Sequence, residues 1–128
     1  MKKLFYSLSL LFTSFTYANS SYECFFTEPF ITINIIASSN STERTGDTVE
    51  FSRNTNLNTS SVKESSELSG VLSLTFDGDE KSNYVLEINK LIKGSDGMSD
   101  KVYSFDAVLK KSNSQFKLIG GCDYLTIM

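Results

Sequence analysis

The sequence predicts an all-β fold class: a small antiparallel, partly open barrel or sandwich of about seven or eight strands. Short segments of alternating apolar and polar residues recur along the chain, which is typical of strands with one buried face. Turn-forming residues separate these segments at short intervals. After the first 18 residues no segment has the pattern of a long helix, so the strands must pack on one another.

The predicted strands each carry one apolar face, as in the second, where Ile31, Ile33 and Ile35 share the side expected to be buried. Residues 54–67 are polar and almost free of large apolar side chains, so we expect a mobile loop there, with a short helix over 62–68 as the alternative. The predicted strands are 22–26, 30–36, 48–53, 71–76, 84–90, 102–109, 116–119 and 124–127.

The glycines indicate where these strands turn or approach one another. Asp77-Gly78 predicts a tight hairpin turn between the fourth and fifth predicted strands. Gly120 and Gly121 separate the last two predicted strands. A glycine pair inside a strand pattern indicates either a bulge or a close approach of another part of the chain.

Residues 1–18 are expected to be a signal peptide. Lys2 and Lys3 precede an apolar run that ends at Ala18, the kind of small residue that a signal peptidase requires. The run is too short for a membrane helix, which needs roughly 20 apolar residues. We therefore expect an exported protein, periplasmic or secreted, in which residues 19–128 form a single domain without stable membrane insertion.

The charge and the missing residue types exclude several function classes. The chain has 12 basic and 15 acidic residues, and the leader holds two lysines and no acid, so the mature charge is 10 − 15 = −5. An acidic chain is poorly suited to nucleic acid. The sequence has no histidine, so the commonest general base and metal ligand are missing. We predict a non-enzymatic protein without a cofactor or a metal site, with a carboxylate-dependent hydrolase as an alternative.

Two cysteines in an exported chain favour a disulfide. Cys24 lies in the first predicted strand of the domain and Cys122 lies near its end, so the bond would join the first segment to the last. The alternative is a pair of buried free thiols. A catalytic cysteine is disfavoured because no histidine is present to activate it.

The most conspicuous loop precedes the strand 102–109 and contains Asp96, Met98 and Asp100, with Tyr103 following. We predict these four residues as a contact surface. Asp96-Gly97 predicts a tight turn, with Asp100 capping nearby backbone N–H groups. A second acidic cluster is formed by Asp77, Asp79 and Glu80. Calcium is the alternative for both clusters, but neither has the complete EF-hand ligand pattern.

The segment before the second strand is a further candidate site. Glu28 precedes Pro29, at the opening of that strand. Its carboxylate is expected either to make a contact at the barrel rim or to accept hydrogen bonds from the backbone of a crossing loop. Aromatic residues are concentrated near this end of the barrel, where they either fill the core or form a protein-binding patch: Tyr22, Phe25, Phe26 and Phe30.

Three segments of the chain resemble the motifs of a group of uncharacterised small bacterial domains that are periplasmic or lipid-anchored. Thr27-Glu28-Pro29-Phe30 looks like the group's Glu-Pro-Phe-Trp signature. Residues 96–105 resemble its Asp-Gly-Met-Ser-Asp-x-x-Tyr-Pro-Phe stretch, and Gly120-Gly121-Cys122 resembles its C-terminal Gly-Cys ending. The resemblance implies an envelope location and an all-β fold, but no activity.

The chain departs from that group in three places. Ile31 stands where tryptophan is usual, and Ser104 stands where proline is usual. Many members also have a cysteine just before the Asp-Gly-Met-Ser-Asp stretch, whereas this chain has Gly94-Ser95. If the C-terminal cysteine of the group pairs there, Cys122 has acquired a different partner in this protein.

These observations favour a module that binds a macromolecule at the cell envelope, through Asp96, Met98, Asp100, Tyr103, Glu28 and Phe30. An acidic loop suits a cationic partner such as a lysozyme, so the role is lysozyme-inhibitor-like by analogy. The alternative is a carrier of a small apolar ligand, which predicts a dry cavity lined by aromatic and isoleucine side chains near Phe26 and Phe30.

Overall fold

In the computed structural model, the described residues form nine antiparallel strands that curl into a half-barrel. The structure describes residues 20–27, 29–38 and 44–126, so the expected signal peptide and Glu28 lie outside the described residues. The all-β, partly open barrel is confirmed, with nine strands rather than seven or eight. The strands are β1 (Ser21–Phe26), β2 (Ile31–Ile36), β3 (Thr48–Arg53), β4 (Asn56–Ser61), β5 (Glu64–Leu68), β6 (Val71–Asp77), β7 (Asn83–Asn89), β8 (Phe105–Lys111) and β9 (Lys117–Leu125).

Neighbouring strands in the sheet are neighbours along the chain, with one exception. The order is β4-β3-β2-β1-β9-β8-β7-β6-β5, so the first and last strands pair in the middle. The chain passes from β4 to β5 through Val62 and Lys63, and these two strands are the sheet edges. Ser60 Oγ donates a hydrogen bond to the Asp77 carbonyl at 2.7 Å. The two edges therefore converge where β4 meets β5.

The core occupies the concave side of the sheet, and alternation places the apolar residues there. Ile31, Ile33 and Ile35 are buried, as predicted. The rings of Phe51 and Tyr84, from opposite parts of the sheet, lie 4.9 Å apart. Such contacts across the barrel interior hold the two halves together through apolar burial. The other large side chains that are fully buried are Tyr22, Phe26, Phe76, Leu74, Leu86, Ile88 and Leu109.

The prediction of a mobile loop over 54–67 was wrong, because this segment contains β4 and most of β5. Both are edge strands whose side chains are mostly exposed or half-buried. Backbone pairing with β3 and β6 holds them, so they need little apolar surface of their own. Polar edge strands also oppose pairing with other chains.

The two predicted closing strands are one continuous strand, β9, that runs through Gly120 and Gly121. Its register with β8 is unbroken across both glycines, and its register with β1 is unbroken as far as Gly121. The pairing with β8 therefore has no bulge at the glycines, and the close-approach alternative is confirmed. A Cβ on Gly120 would lie 2.6 Å from the Phe26 ring, and a Cβ on Gly121 would lie 2.5 Å from the Tyr103 ring. Aromatic rings therefore cover this strand on both faces.

The disulfide between Cys24 and Cys122 is confirmed. The two cysteines lie directly opposite each other in the β1–β9 pair, and both are fully buried. The predicted hairpin turn at Asp77-Gly78 is also confirmed, and it includes a short 3-10 helix, Asp79–Lys81. In the described part of the chain, no helix has the length and apolar character needed to cross a membrane.

Candidate functional site

The conspicuous loop crosses the convex face of the sheet over β8 and β9. Gly94 and Tyr103 exchange two backbone hydrogen bonds, of 3.1 and 2.9 Å, and so close the loop at its base. A Cβ on Gly94 would lie 2.9 Å from the Cα of Gly121. The loop can approach the sheet this closely because both positions are glycine.

Asp96 organises this loop from within. Its Oδ1 accepts hydrogen bonds from the backbone N–H groups of Met98 and Ser99, at 2.9 and 2.8 Å. Its Oδ2 accepts from Ser99 Oγ at 2.8 Å and from the Tyr103 hydroxyl at 2.9 Å. The Asp96 carbonyl accepts from Thr27 Oγ1 at 2.7 Å, which ties the loop to the end of β1. The capping predicted for Asp100 is thus made by Asp96.

These hydrogen bonds shift two pKa values in opposite directions. The N–H groups of Ser99 and Met98 stabilise the charged carboxylate and hold the pKa of Asp96 well below its usual range. Burial, followed by the hydrogen bond to Asp96, raises the pKa of Tyr103 to about 12. Both pKa shifts favour the hydrogen bond between the charged Asp96 carboxylate and the neutral Tyr103 hydroxyl at neutral pH. This bond helps to fix the shape of the loop.

The structure separates the predicted contact residues into two kinds. Met98 and Asp100 are exposed, and Met98 retains 62% of its surface. Tyr103 is only 4% exposed, because it packs on Gly121 and against Phe25. Tyr103, predicted as a contact residue, is therefore covered, and it packs on the convex face of the sheet. Strand β8 begins only at Phe105, so the alternation does not extend back to Tyr103.

Phe30 is 60% exposed in the turn between β1 and β2, three residues after Thr27. That turn adjoins the loop, because Thr27 bonds to Asp96. Phe26, in contrast, is buried in the core. The predicted aromatic group is therefore divided between the core and the surface.

A row of polar residues across the convex face was missed at the sequence level. Glu23 of β1 lies directly opposite Asp123 of β9 and, on its other side, opposite Asn34 of β2. Asn34 in turn lies opposite Glu50 of β3 and donates a hydrogen bond to its carboxylate at 3.3 Å. The outward positions of the predicted strands could have indicated these acids, but their alignment depends on strand pairing.

One lysine lies beside this row. Lys101 Nζ is 3.0 Å from Asp123 Oδ2, and it also lies over the Tyr103 ring, 4.6 Å from its centre. Burial alone would raise the pKa of Asp123, but the Ser104 N–H and Lys101 outweigh it and lower that pKa overall. Asp123 is therefore ionised and partly neutralised. Glu23 and Glu50 form no salt bridge within the described residues.

The second acidic cluster is dispersed by the fold. Asp77 Oδ1 lies 2.8 Å from Lys63 Nζ, while Asp79 binds Arg53 at 3.3 Å and the Tyr84 hydroxyl at 2.6 Å. The Asp77 and Asp79 carboxylates thus face different protein groups, while Glu80 is exposed and lines the same cleft as Asp79. Among the described residues, no group of three or more histidine, cysteine or acidic side chains is arranged to hold a metal ion.

Three of the surface clefts of the described region bear on the carrier alternative. The first, of about 610 Å³, lies at the β3–β4 turn beside Asp79 and Glu80. The second, of about 280 Å³, lies at the β8–β9 turn and includes Lys110, Lys111 and Phe116. The third, of about 270 Å³, lies along β5 and β6. None of these three is lined by Phe26, Phe30 or an isoleucine, the residues expected for an apolar carrier site.

Comparison with known proteins does not assign the chain to a family. No family model matches it, and neither the curated proteins nor the solved structures contain a match.

Proposed function

We propose that this protein is a non-enzymatic, exported binding module that recognises a cationic protein through its convex acidic face. We define the acidic face as Glu23, Glu50, Asp100 and Asp123, with Met98 at its margin. The buried disulfide supports export, because such bonds persist in oxidising compartments. The resemblance to small periplasmic domains points to the same location.

The alignment of Glu23 with Asp123 carries the proposal. Like charges directly opposite each other on adjacent strands destabilise a sheet, and Lys101 offsets only part of this repulsion. A cationic side chain that binds between the two carboxylates would be attracted electrostatically by both. Charge complementarity of this kind mainly raises the association rate.

The loop that contains Asp96 holds Met98 and Asp100 in defined positions at this charged face. Asp96 uses both carboxylate oxygens inside the loop, so its role is to position Met98 and Asp100 rather than to contact the partner. Met98 supplies an exposed apolar contact beside the carboxylates. A preorganised loop binds without the entropy loss of ordering a flexible one.

The test is affinity capture from an envelope extract of the source organism at low and high salt, with the oxidised protein as bait. We expect a cationic protein that elutes as the salt concentration rises, because exposed charge pairs are screened. The variant Glu23→Gln/Glu50→Gln/Asp100→Asn should capture less of it. The matched control Glu64→Gln/Glu67→Gln/Glu80→Gln makes the same charge change elsewhere and should capture as much as the wild type.

Two results would contradict the proposal. Equal loss in both variants would mean that net charge, not the acidic face, governs capture. Unchanged capture by the acidic-face variant would place the contact elsewhere on the molecule.

A further inference from the structure

The cleft at the β3–β4 turn has a mostly polar lining. Its volume is about 610 Å³. Arg53 ends β3 at this point, and Leu57 is the one large apolar residue of the lining, 62% exposed. The full lining is Arg53, Asn54, Thr55, Asn56, Leu57, Asn58, Asp79 and Glu80.

The polar groups of this cleft retain much unused hydrogen-bonding capacity. Within the described residues, Arg53 donates one hydrogen bond, from Nη1 to Asp79 Oδ2 at 3.3 Å, although a guanidinium has five N–H groups. The side-chain amides of Asn54, Asn56 and Asn58 make no hydrogen bond to another part of the described chain. Each amide offers two donor hydrogens and an acceptor oxygen. The cleft therefore presents donors and acceptors together.

The wall of the cleft is fixed from beneath. The Tyr84 hydroxyl donates to Asp79 Oδ1 at 2.6 Å, and the Tyr84 ring is fully buried against Phe51 and Phe76. A Cβ on Gly78 would lie 2.5 Å from the same ring, so the turn that carries Asp79 follows the ring closely. Asp79 in turn orients Arg53. The charged groups are thus preorganised before any ligand arrives.

We propose that this cleft is a binding site for a neutral oligosaccharide. Sugar hydroxyls act as donors and acceptors at once, which matches a wall of amides, a guanidinium and carboxylates. Leu57 offers an apolar contact for the C–H face of a sugar ring. Asp79 and Glu80 would repel an anion, and a cation would have to compete with Arg53 for Asp79, which is already paired.

This proposal is independent of the acidic face. Arg53 lies on the inward-facing side of β3 and lines the cleft at the β3–β4 turn. Glu50 of the same strand lies on the opposite, convex side. Binding of a neutral sugar should also be insensitive to salt, while binding of a cationic protein should weaken with it. The two functions can therefore fail or succeed separately.

The test is a titration of the uniformly ¹⁵N-labelled, oxidised protein with maltotriose, cellotriose and chitotriose, followed by NMR. Citrate and arginine serve as the anionic and cationic probes. We expect at least one trisaccharide to shift the backbone amide signals of residues 53–58 and 79–80 in a saturable way. We also expect high salt to leave the affinity unchanged.

Variants test which groups are used. Asn56→Ala and Glu80→Ala should each weaken binding by about fivefold, the loss expected for one hydrogen bond. Thr59→Ala is the matched control, because Thr59 is exposed on β4 but outside the cleft lining, and its affinity should equal that of the wild type. The proposal is overturned if no trisaccharide shifts the cleft signals, if citrate or arginine binds there more tightly, or if Thr59→Ala weakens binding as much as Asn56→Ala.

Discussion

Replacing the disulfide by Cys24→Ala/Cys122→Ala should remove a large part of the stability of this protein. The bond joins residues that are 98 positions apart, and the loop-entropy model gives roughly 4.7 kcal/mol for a loop of about 100 residues. Both sulfur atoms are fully buried in the core, so their removal adds a loss of packing in the same direction. Small domains have total stabilities of about 5–15 kcal/mol, so we expect a destabilisation of about 4 kcal/mol or more.

The measurement is guanidinium chloride unfolding followed by tyrosine fluorescence, since the chain has no tryptophan. The midpoint should fall in the alanine variant, and the unfolding slope should rise because the unfolded chain becomes more expanded. Dithiothreitol should destabilise the wild type by a similar amount and leave the variant unaffected. A loss below about 1 kcal/mol would refute the loop-entropy reasoning, because it would mean that β1 and β9 stay close in the unfolded ensemble.

Three further predictions concern the loop and the buried tyrosines. Asp96→Asn should destabilise the fold above the unfolded pKa of 3.8, and the difference from wild type should shrink as the pH falls toward the lower folded pKa. Urea unfolding at about pH 7 and about pH 3 measures this, with Asp100→Asn, at an exposed aspartate of the same loop, as the control. Gly121→Ala should cost about 1–3 kcal/mol by overpacking the Tyr103 ring, and thermal unfolding should show a smaller loss in a Tyr103→Ala background. Because the folded pKa values of Tyr84 and Tyr103 are raised, stability should fall as the pH rises above about 10; an ultraviolet titration in which every tyrosine ionises at its ordinary pKa would contradict this.

The sequence was sufficient for the parts of the fold in which one strand face is buried. Ile31, Ile33 and Ile35 all enter the core, because alternation records which face meets apolar neighbours. The pairing of Cys24 with Cys122 followed from composition and compartment. The isoleucine pattern depends only on residues close together in the sequence, and the disulfide has only one possible pairing because the chain has two cysteines.

The edge strands β4 and β5 could not be predicted, because their side chains show no apolar alternation that would indicate strand pairing. β4 and β5 hold their places through backbone hydrogen bonds to β3 and β6, and a backbone bond leaves no trace in residue type. The division of β9 into two predicted strands was wrong for a different reason. Gly120 and Gly121 look like an interruption of the strand, but they are required because Phe26 and Tyr103 pack directly on it.

The candidate sites depend on contacts that form only when the sheet curls. Arg53 and Asp79 are 26 residues apart and meet at the end of the barrel. Glu23 and Asp123 are brought together only by the β1–β9 pairing. The aspartates of the conspicuous loop were visible in the sequence. The sequence could not show that Asp96 accepts hydrogen bonds within the loop while Asp100 faces outward. This difference follows only from the hydrogen bonds in the structure.

The position of the disulfide explains how the sheet tolerates its acidic face. Cys24 and Cys122 are the immediate neighbours of Glu23 and Asp123, and the two pairs occupy adjacent positions of the same strand register. A cross-strand side-chain pair is worth on the order of 1 kcal/mol or less, whereas the loop-entropy model gives the covalent bond roughly 4.7 kcal/mol. The cross-link therefore outweighs the repulsion severalfold. Two carboxylates can remain opposed at the junction of the first and last strands without opening the barrel, and the proposed function would place a cationic partner against both.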